Sequence, residues 1–504
     1  MEPDSGAVKT ARGSVELVAQ GIANIFLGLI FFIFLARMIS KDEMGVYAAL
    51  TMSYSLFQII GSLGLNVAAA RFVPKFLAEG NRRDASAVAR SLIEISVASG
   101  IALTFIFYIS APLLSFGLTK SLEHLEIFQV CSLVVLAVVP MIVLDGLLQG
   151  VQEFGRLAIV RILGQILKIA VSFPLLLVGH GLYAVVAGWI ALGIGASLLS
   201  FFLLRRHVSF RVNGYRYSPV LKFSLPMLGS SLVTFASGWV DMFLAMLYAS
   251  LPEVGAYNVT IMASTLLTGG ILQSINSTLL PAMSQSYGAG GLATVENALY
   301  KSSRYMALVY SPAAIGLASV ATPAVYLMAG EVYQEAVLPL AILAVGSLAF
   351  GFFTPLSAAL ATAGETVRVF RITLIAVVVD VLASILLIPN LSIVGAALGR
   401  ALLFSTSFVY GLFEIKRVLK TRFDVEAAWK AILASIVMTF PVVAIQLWKA
   451  SVLLIPVYLA VGAGVYAITL KILRLVDSTD ILIAERILPK SLSFIMKPLR
   501  KLFA

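Results

Sequence analysis

Four segments of this chain place polar side chains at intervals that gather them on one side of a helix. Tyr47, Thr51, Tyr54 and Gln58 lie at i, i+4, i+7 and i+11, which at about 100° per residue confines them to one narrow face. Ser230, Thr234, Ser237 and Asp241 repeat that spacing. Asn258, Thr265 and Asn276 share a line with Gln273 beside it, and Glu16, Gln20 and Asn24 drift slowly around theirs. Rows of hydroxyls and amides can line a hydrated path, and they can equally hydrogen-bond packed helices to one another. Asp241 is the sharpest candidate: either it carries a proton or holds Na⁺, or it sits hydrated in an outer vestibule. Beyond such a coupling ion (Na⁺ or H⁺) no cofactor is expected.

The remaining ionisable residues inside apolar stretches read as pairs. Asp380 and Arg400 lie at matched depth in two runs joined around Pro389-Asn390, and Asp145 and Arg161 flank a short turn in the same way. Both are expected to be structural ion pairs. Lys168 has no evident partner; it is either a cation facing a polar path or the partner of a carboxylate on another helix. His124, His180 and His207 show no metal-ligand spacing, no GxxxxGK[ST] phosphate loop occurs, and the single Cys131 excludes a disulfide framework and a thiolate cluster.

The elements that must position these groups are membrane spans. Hydrophobic residues make up 60% of the chain, charged residues 12%, and mean hydropathy is +0.99. About fourteen apolar runs alternate with short connectors, each run long enough to cross a ~30 Å hydrocarbon core as a helix. The expectation is an all-α polytopic membrane protein of about 14 transmembrane helices, with no connector large enough for a soluble catalytic domain. The first run is too long for a signal core and reads as an anchor.

Charge sets the orientation. Of the 36 Lys and Arg, Arg37, Lys41, Lys120 and Lys449 fall on one side of the predicted map, and Lys168 and Arg400 fall within spans. All the others lie on the opposite side, with both termini. Basic connectors face the cytoplasm, so a cytoplasmic-membrane protein with both termini inside is expected. The net charge of +11 is thereby a topology signal and does not imply nucleic acid.

The chain also repeats itself. Leu35-Ala36-Arg37-Met38 with Met44-Gly45-Val46-Tyr47 recurs as Leu244-Ala245-Met246-Leu247 with Val254-Gly255-Ala256-Tyr257, and Gln152-Glu153-Phe154-Gly155-Arg156 recurs as Gly364-Glu365-Thr366-Val367-Arg368. Six spans repeated in one orientation give an N-lobe over 1–206 and a C-lobe over 207–418. Two additional spans over 419–475 and a basic amphipathic tail over 476–504, lying on the anionic leaflet, complete the chain.

These motifs, with Gly64-Leu65, Arg71-Phe72 and Asp241 ahead of Val254-Gly255-Ala256-Tyr257, resemble the oligosaccharide flippases of prokaryotic polysaccharide export. Those share a superfamily with the multidrug and toxic-compound extrusion transporters and the peptidoglycan-precursor flippase. The resemblance covers essentially the whole chain. It implies no enzyme, but a carrier with two lobes about a central cavity lined by the first, second, seventh and eighth spans, which are the four that bear polar rows. The implied substrate is an oligosaccharide on a polyprenyl phosphate or diphosphate, with membrane lipid and glycan-assembly membrane proteins as further partners. Arg12, Arg71, Lys75, Lys222, Lys301 and Arg304, with Lys168, are then candidate headgroup cations, although topology charges collect at such span ends anyway. Ion-coupled drug antiport by the extrusion branch is the alternative. Against it, the first span lacks a mid-membrane acid, Glu16 lying near its cytoplasmic end.

Overall fold

The structure is a computed structural model describing residues 5–209, 212, 215, 217–265, 270, 272–419, 423–448 and 451–476. Side chains are described from residue 20 onward, apart from 273, 274, 276–278 and 289. Among the described residues every regular element is helical. The chain divides into two compact units, Met1–Asn258 and Val259–Ala504.

The first unit holds α1 (Ser5–Met38), α2 (Lys41–Ser62), α3 (Leu65–Ala78), α4 (Arg82–Thr119), α5 (Leu125–Gly150), α6 (Phe154–Leu177), α7 (Gly181–Leu204), α8 (Tyr217–Tyr248) and the first turns of α9 (Leu251–Thr265). A capping box starts α2: Ser40 Oγ accepts from the Glu43 amide, and Glu43 accepts from the Ser40 amide at 2.9 Å. Its repeat-related counterpart reappears ahead of α9, where the Ser250 amide donates to Glu253 Oε2 at 2.8 Å. The two helix starts cross at glycines. Gly45 lies against the Leu251 carbonyl and Gly255 against the Lys41 carbonyl, an approach that leaves no room for a Cβ on either side.

The expected second span, 46–70, is two helices rather than one. Leu63 and Gly64 are both left-handed (φ 48° and 69°), ending α2 and starting α3, and Gly64 abuts the Ser224 carbonyl of α8. A side chain at Gly64 would be strained by its dihedral angles and blocked by α8. α5 sits at the centre, packed on α3, α4 and α7. Leu65, Ala68, Val73, Leu92, Val143 and Leu147 form a fully buried cluster there. Lipid tails are as apolar as leucine, so this packing is held by dispersion and close fit rather than by expulsion of water. Small residues at the contacts reflect that, as where Gly146 meets Asn66 and Gly193 meets Ala137.

The second unit holds the end of α9, α10 (Gln273–Ser319), α11 (Ala321–Ala329), a 3₁₀ turn (Glu331–Ala336), α12 (Val337–Thr362), α13 (Thr366–Val418), α14 (Val425–Trp448), a short 3₁₀ turn (Val452–Leu454) and α15 (Ile455–Ile472). α10 is kinked at Gly290 and Gly291 and packs on α12 and α14, while α15 packs on α14. α13 is a hairpin. Ser392 takes φ 49°, ψ −133°, and beyond it Gly395 lies against Leu387 while Gly399 lies against Asp380 and Ser384.

Among the described residues eleven helices are long and apolar enough to cross a membrane, twelve if the pair Gly290–Ser319 and Ala321–Ala329, bent by 72°, is one span. The difference from the expected fourteen has local causes. The α13 hairpin runs two expected spans together, and the expected eighth span, 255–280, includes residues 266–269 and 271, which lie outside the described residues. The tail beyond residue 476 lies outside the described residues.

Candidate functional site

The seventh expected span, α8, exposes an unusual face. Most of the membrane surface is aliphatic and aromatic: α4, for instance, exposes Ile101, Phe105, Ile109 and Leu113. On α8 the exposed positions instead include Gly229, Ser230, Thr234 and Gly238, with Ser237 half-buried beside them. Thr234 Oγ1 donates to the Ser230 carbonyl at 3.0 Å and Ser237 Oγ to the Thr234 carbonyl at 2.8 Å. Each hydroxyl donor is thus returned to its own helix, leaving oxygen lone pairs available outward. Such a face suits water or a polar solute better than acyl chains.

At the end of that row Asp241 is fully buried, and Tyr257 Oη donates a hydrogen bond to its Oδ2. Tyr257 is itself fully buried on α9. Two residues earlier in the same repeat motif, Gly255 fixes how closely α9 approaches α2. Asn258 Nδ2 reaches Met44 Sδ at 3.5 Å. Tyr257 was legible only as part of the repeated Val-Gly-Ala-Tyr motif; composition alone classes it with the apolar residues.

The row on α2 faces its own unit. The Trp189 ring of α7 packs at a tilt against both Tyr47 and Tyr54, at ring distances of 5.7 and 4.6 Å. Thr51 Oγ1 donates to the Tyr47 carbonyl at 2.7 Å, and Gln58 is half-buried. Thr265, half-buried in the second unit, donates to the Met262 carbonyl at 2.6 Å. The side chains of Arg12, Glu16, Gln273 and Asn276 lie outside the described residues.

Gln20 turns toward α6, where it meets an ionic network. Arg161 Nε lies 3.0 Å from Asp145 Oδ2 and its Nη1 lies 3.4 Å from Gln20 Oε1, joining α1, α5 and α6. One turn further along α1, Asn24 Oδ1 is buried with no hydrogen-bond donor among the described residues. Lys168, two turns along α6, is buried with its Nζ 4.3 Å above the Phe31 ring. No carboxylate among the described residues lies within ion-pair distance of it. In the α13 hairpin Asp380 is fully buried and accepts from Ser384 Oγ at 3.0 Å. The turn at Ser392 brings the Gly399-Arg400 segment to the same depth.

The basic residues at span ends are spread over separate environments. The Arg71 guanidinium lies 4.2 Å over the Phe223 ring. Lys75 is exposed 3.9 Å from Glu79, and Lys222 and Lys301 are exposed. Arg304 donates to the Leu475 carbonyl at 2.7 Å, tying α10 to the end of α15. A pair that sequence reasoning missed joins the legs of the second unit: Arg368, at the start of α13, bridges Glu365 and the buried Glu414.

The profile of a family described as polysaccharide biosynthesis protein matches residues 34–338. Over 452 residues the chain is 21% identical to the lipid II flippase MurJ of Bacillus subtilis, covering 81% of this chain and 83% of the relative. It is 24% identical over 441 residues to the probable low-salt glycan biosynthesis flippase Agl15 of Haloferax volcanii, covering 85% and 88%. Among solved structures, the inward closed conformation of lipid II flippase MurJ superposes with a TM-score of 0.73 at 18% identity, covering 90% of this chain and 98% of that one. An inward-facing multidrug resistance MATE transporter of the MOP superfamily gives 0.66 at 17% identity, covering 81% and 99%.

Proposed function

Since the chain belongs to the polysaccharide biosynthesis protein family, we propose that it flips a lipid-linked oligosaccharide across the cytoplasmic membrane by alternating access. It is a multi-pass membrane protein and its relatives are flippases and transporters rather than enzymes. The observation that carries the reading is the polar exposed face of α8, running through Ser230, Thr234 and Gly238 toward buried Asp241. A sugar headgroup needs a hydrated surface through the bilayer, and the outward oxygen lone pairs of Thr234 and Ser237 offer acceptors for one. The polyprenyl chain has no such need and stays in lipid.

The substrate in this reading is a sugar carried on polyprenyl phosphate or diphosphate. Arg71, held over Phe223 at the basic end of α3, supplies a planar fork suited to the phosphate. The concentration of Lys and Arg in alternate connectors supports cytoplasmic termini. Asp241 with Tyr257 is the candidate for coupling to Na⁺ or H⁺, since a buried carboxylate changes its surroundings little unless its charge state or counter-ion changes. The test is translocation of defined lipid-diphosphate oligosaccharides in proteoliposomes, with Na⁺ and proton gradients varied separately. Flipping of the glycolipid, with no efflux of cationic drugs, supports the proposal. Drug antiport without glycolipid movement refutes it and moves the chain to the extrusion branch.

A further inference from the structure

Where α7 ends and α4 begins, the basic end of the first unit contains a cleft of about 550 Å³. Arg82 and Ser86 line it from the first turns of α4, and Arg205, Arg206, His207 and Ser209 line it from the segment leaving α7. The wall is built. The Ser209 amide donates to Ser86 Oγ at 3.0 Å, which docks the segment leaving α7 on α4. His207 Nε2 lies 3.0 Å from Glu153 Oε1, while its Nδ1 is buried with no partner among the described residues. The Arg205 guanidinium lies over the Phe201 and Phe202 rings at 5.0 and 5.5 Å, which limits its motion.

Topology explains why cations gather at this end but not why these stand without counter-charges. Their neighbours are neutralised: Arg90 by Glu94, Arg156 by Glu153 and Arg161 by Asp145. Among the described residues Arg82, Arg205 and Arg206 have no carboxylate within ion-pair distance. Three guanidinium groups around one cavity repel one another, and an anion entering it relieves that repulsion. The nature of the anion follows from what adjoins the cleft. From Phe202 the exposed side of α7 continues through Leu198 and Ile194, spaced four residues apart and so on one face. A charged head and an apolar chain fit this combination together.

We propose that the cleft binds the phosphate headgroup of a membrane lipid, whose hydrocarbon chain lies along Phe202, Leu198 and Ile194. Basic pockets between spans at the cytoplasmic surface take such headgroups. The source is either a resident anionic phospholipid or a polyprenyl diphosphate, and the experiment separates them.

The full-length protein in detergent is titrated with phosphatidylglycerol, phosphatidylcholine, polyprenyl diphosphate or inorganic phosphate, and retained ligand is counted by native mass spectrometry. Wild type is expected to retain one phosphatidylglycerol in preference to phosphatidylcholine. R205Q/R206Q is expected to bind it about tenfold more weakly, the equivalent of losing one charge-assisted hydrogen bond or more. R82Q, on the opposite wall and outside the α7 segment, is expected to weaken it several-fold, which covers the case in which the double variant fails to fold. Displacement of phosphatidylglycerol by equimolar polyprenyl diphosphate from wild type alone assigns the site to the prenyl lipid; absence of displacement assigns it to the phospholipid. Equal retention by wild type and folded variants overturns the proposal. So does displacement of the lipid by inorganic phosphate at equal concentration, which makes the cleft a site for a soluble anion.

Discussion

Removing Arg161 should destabilise the first unit through Asp145. The Asp145 side chain is 8% exposed and its carboxylate accepts from Arg161 Nε at 3.0 Å, while the Arg161 side chain is 37% exposed. Breaking a buried ion pair by deleting one partner costs about 3–5 kcal/mol, because the other charge is stranded in low dielectric. The exposure of Arg161 gives water a route to the stranded carboxylate, so about 2–3 kcal/mol is expected for R161M. D145N/R161M removes the charge together with its partner and should recover most of that loss, giving a coupling near 2 kcal/mol. The i,i+4 pair Arg90–Glu94, with both side chains 38% exposed, is the control and should couple by less than about 0.5 kcal/mol. Equilibrium unfolding in mixed micelles, over both double-mutant cycles, reads the difference. If R161M were as stable as wild type, or if the two cycles coupled equally, the buried α1–α5–α6 network would not be the constraint inferred here.

Further outcomes follow from the same packing. G255L forces a side chain into the Lys41 carbonyl and the start of α2; overpacking of this kind costs about 1–3 kcal/mol or more, so the yield of monodisperse protein should fall sharply. G117A, where a Cβ meets nothing within 4 Å, should be neutral or stabilising by up to about 1 kcal/mol. K168M removes a buried ammonium whose favourable neighbour among the described residues is the Phe31 ring. Stability should hold or rise, and a loss above about 2 kcal/mol in the same micelle assay would reveal an anionic partner. T234L removes a hydroxyl that, among the described residues, bonds within α8 alone, so flipping in proteoliposomes should slow while thermal stability stays within about 0.5 kcal/mol of wild type.

Much of the architecture was readable from hydropathy, because a span must satisfy its backbone internally and so declares itself as one long apolar run. Local backbone breaks were less readable. Gly61 and Gly64 mark a packing or bending point in the second span, yet only the coordinates show that Leu63 joins Gly64 in a left-handed turn. The rows of polar residues identified faces but not neighbours. Helical spacing put Tyr47 and Tyr54 on one side of α2, and nothing in the spacing could say that Trp189 packs against both. For the same reason the spacing that set Gln20 along a polar row could not name Arg161 as its neighbour. Arg304, a candidate headgroup cation by position, is engaged by a carbonyl 171 residues away, a contact that no local pattern encodes. Asp145 and Arg161 were accessible because a short turn fixes the relative depth of the spans it joins.

The most direct measurement is aqueous labelling of α8. With Cys131 replaced by Ser, single cysteines are placed at Ser230 and Thr234, and at Phe105 and Ile109 on α4 as controls that expose apolar side chains. A membrane-impermeant maleimide is then applied to proteoliposomes from each side in turn. Reaction at Ser230→Cys and Thr234→Cys, with Phe105→Cys and Ile109→Cys inert, is the result expected of a water-filled route along α8. Equal silence at all four positions would place the α8 face against acyl chains and contradict the proposed path.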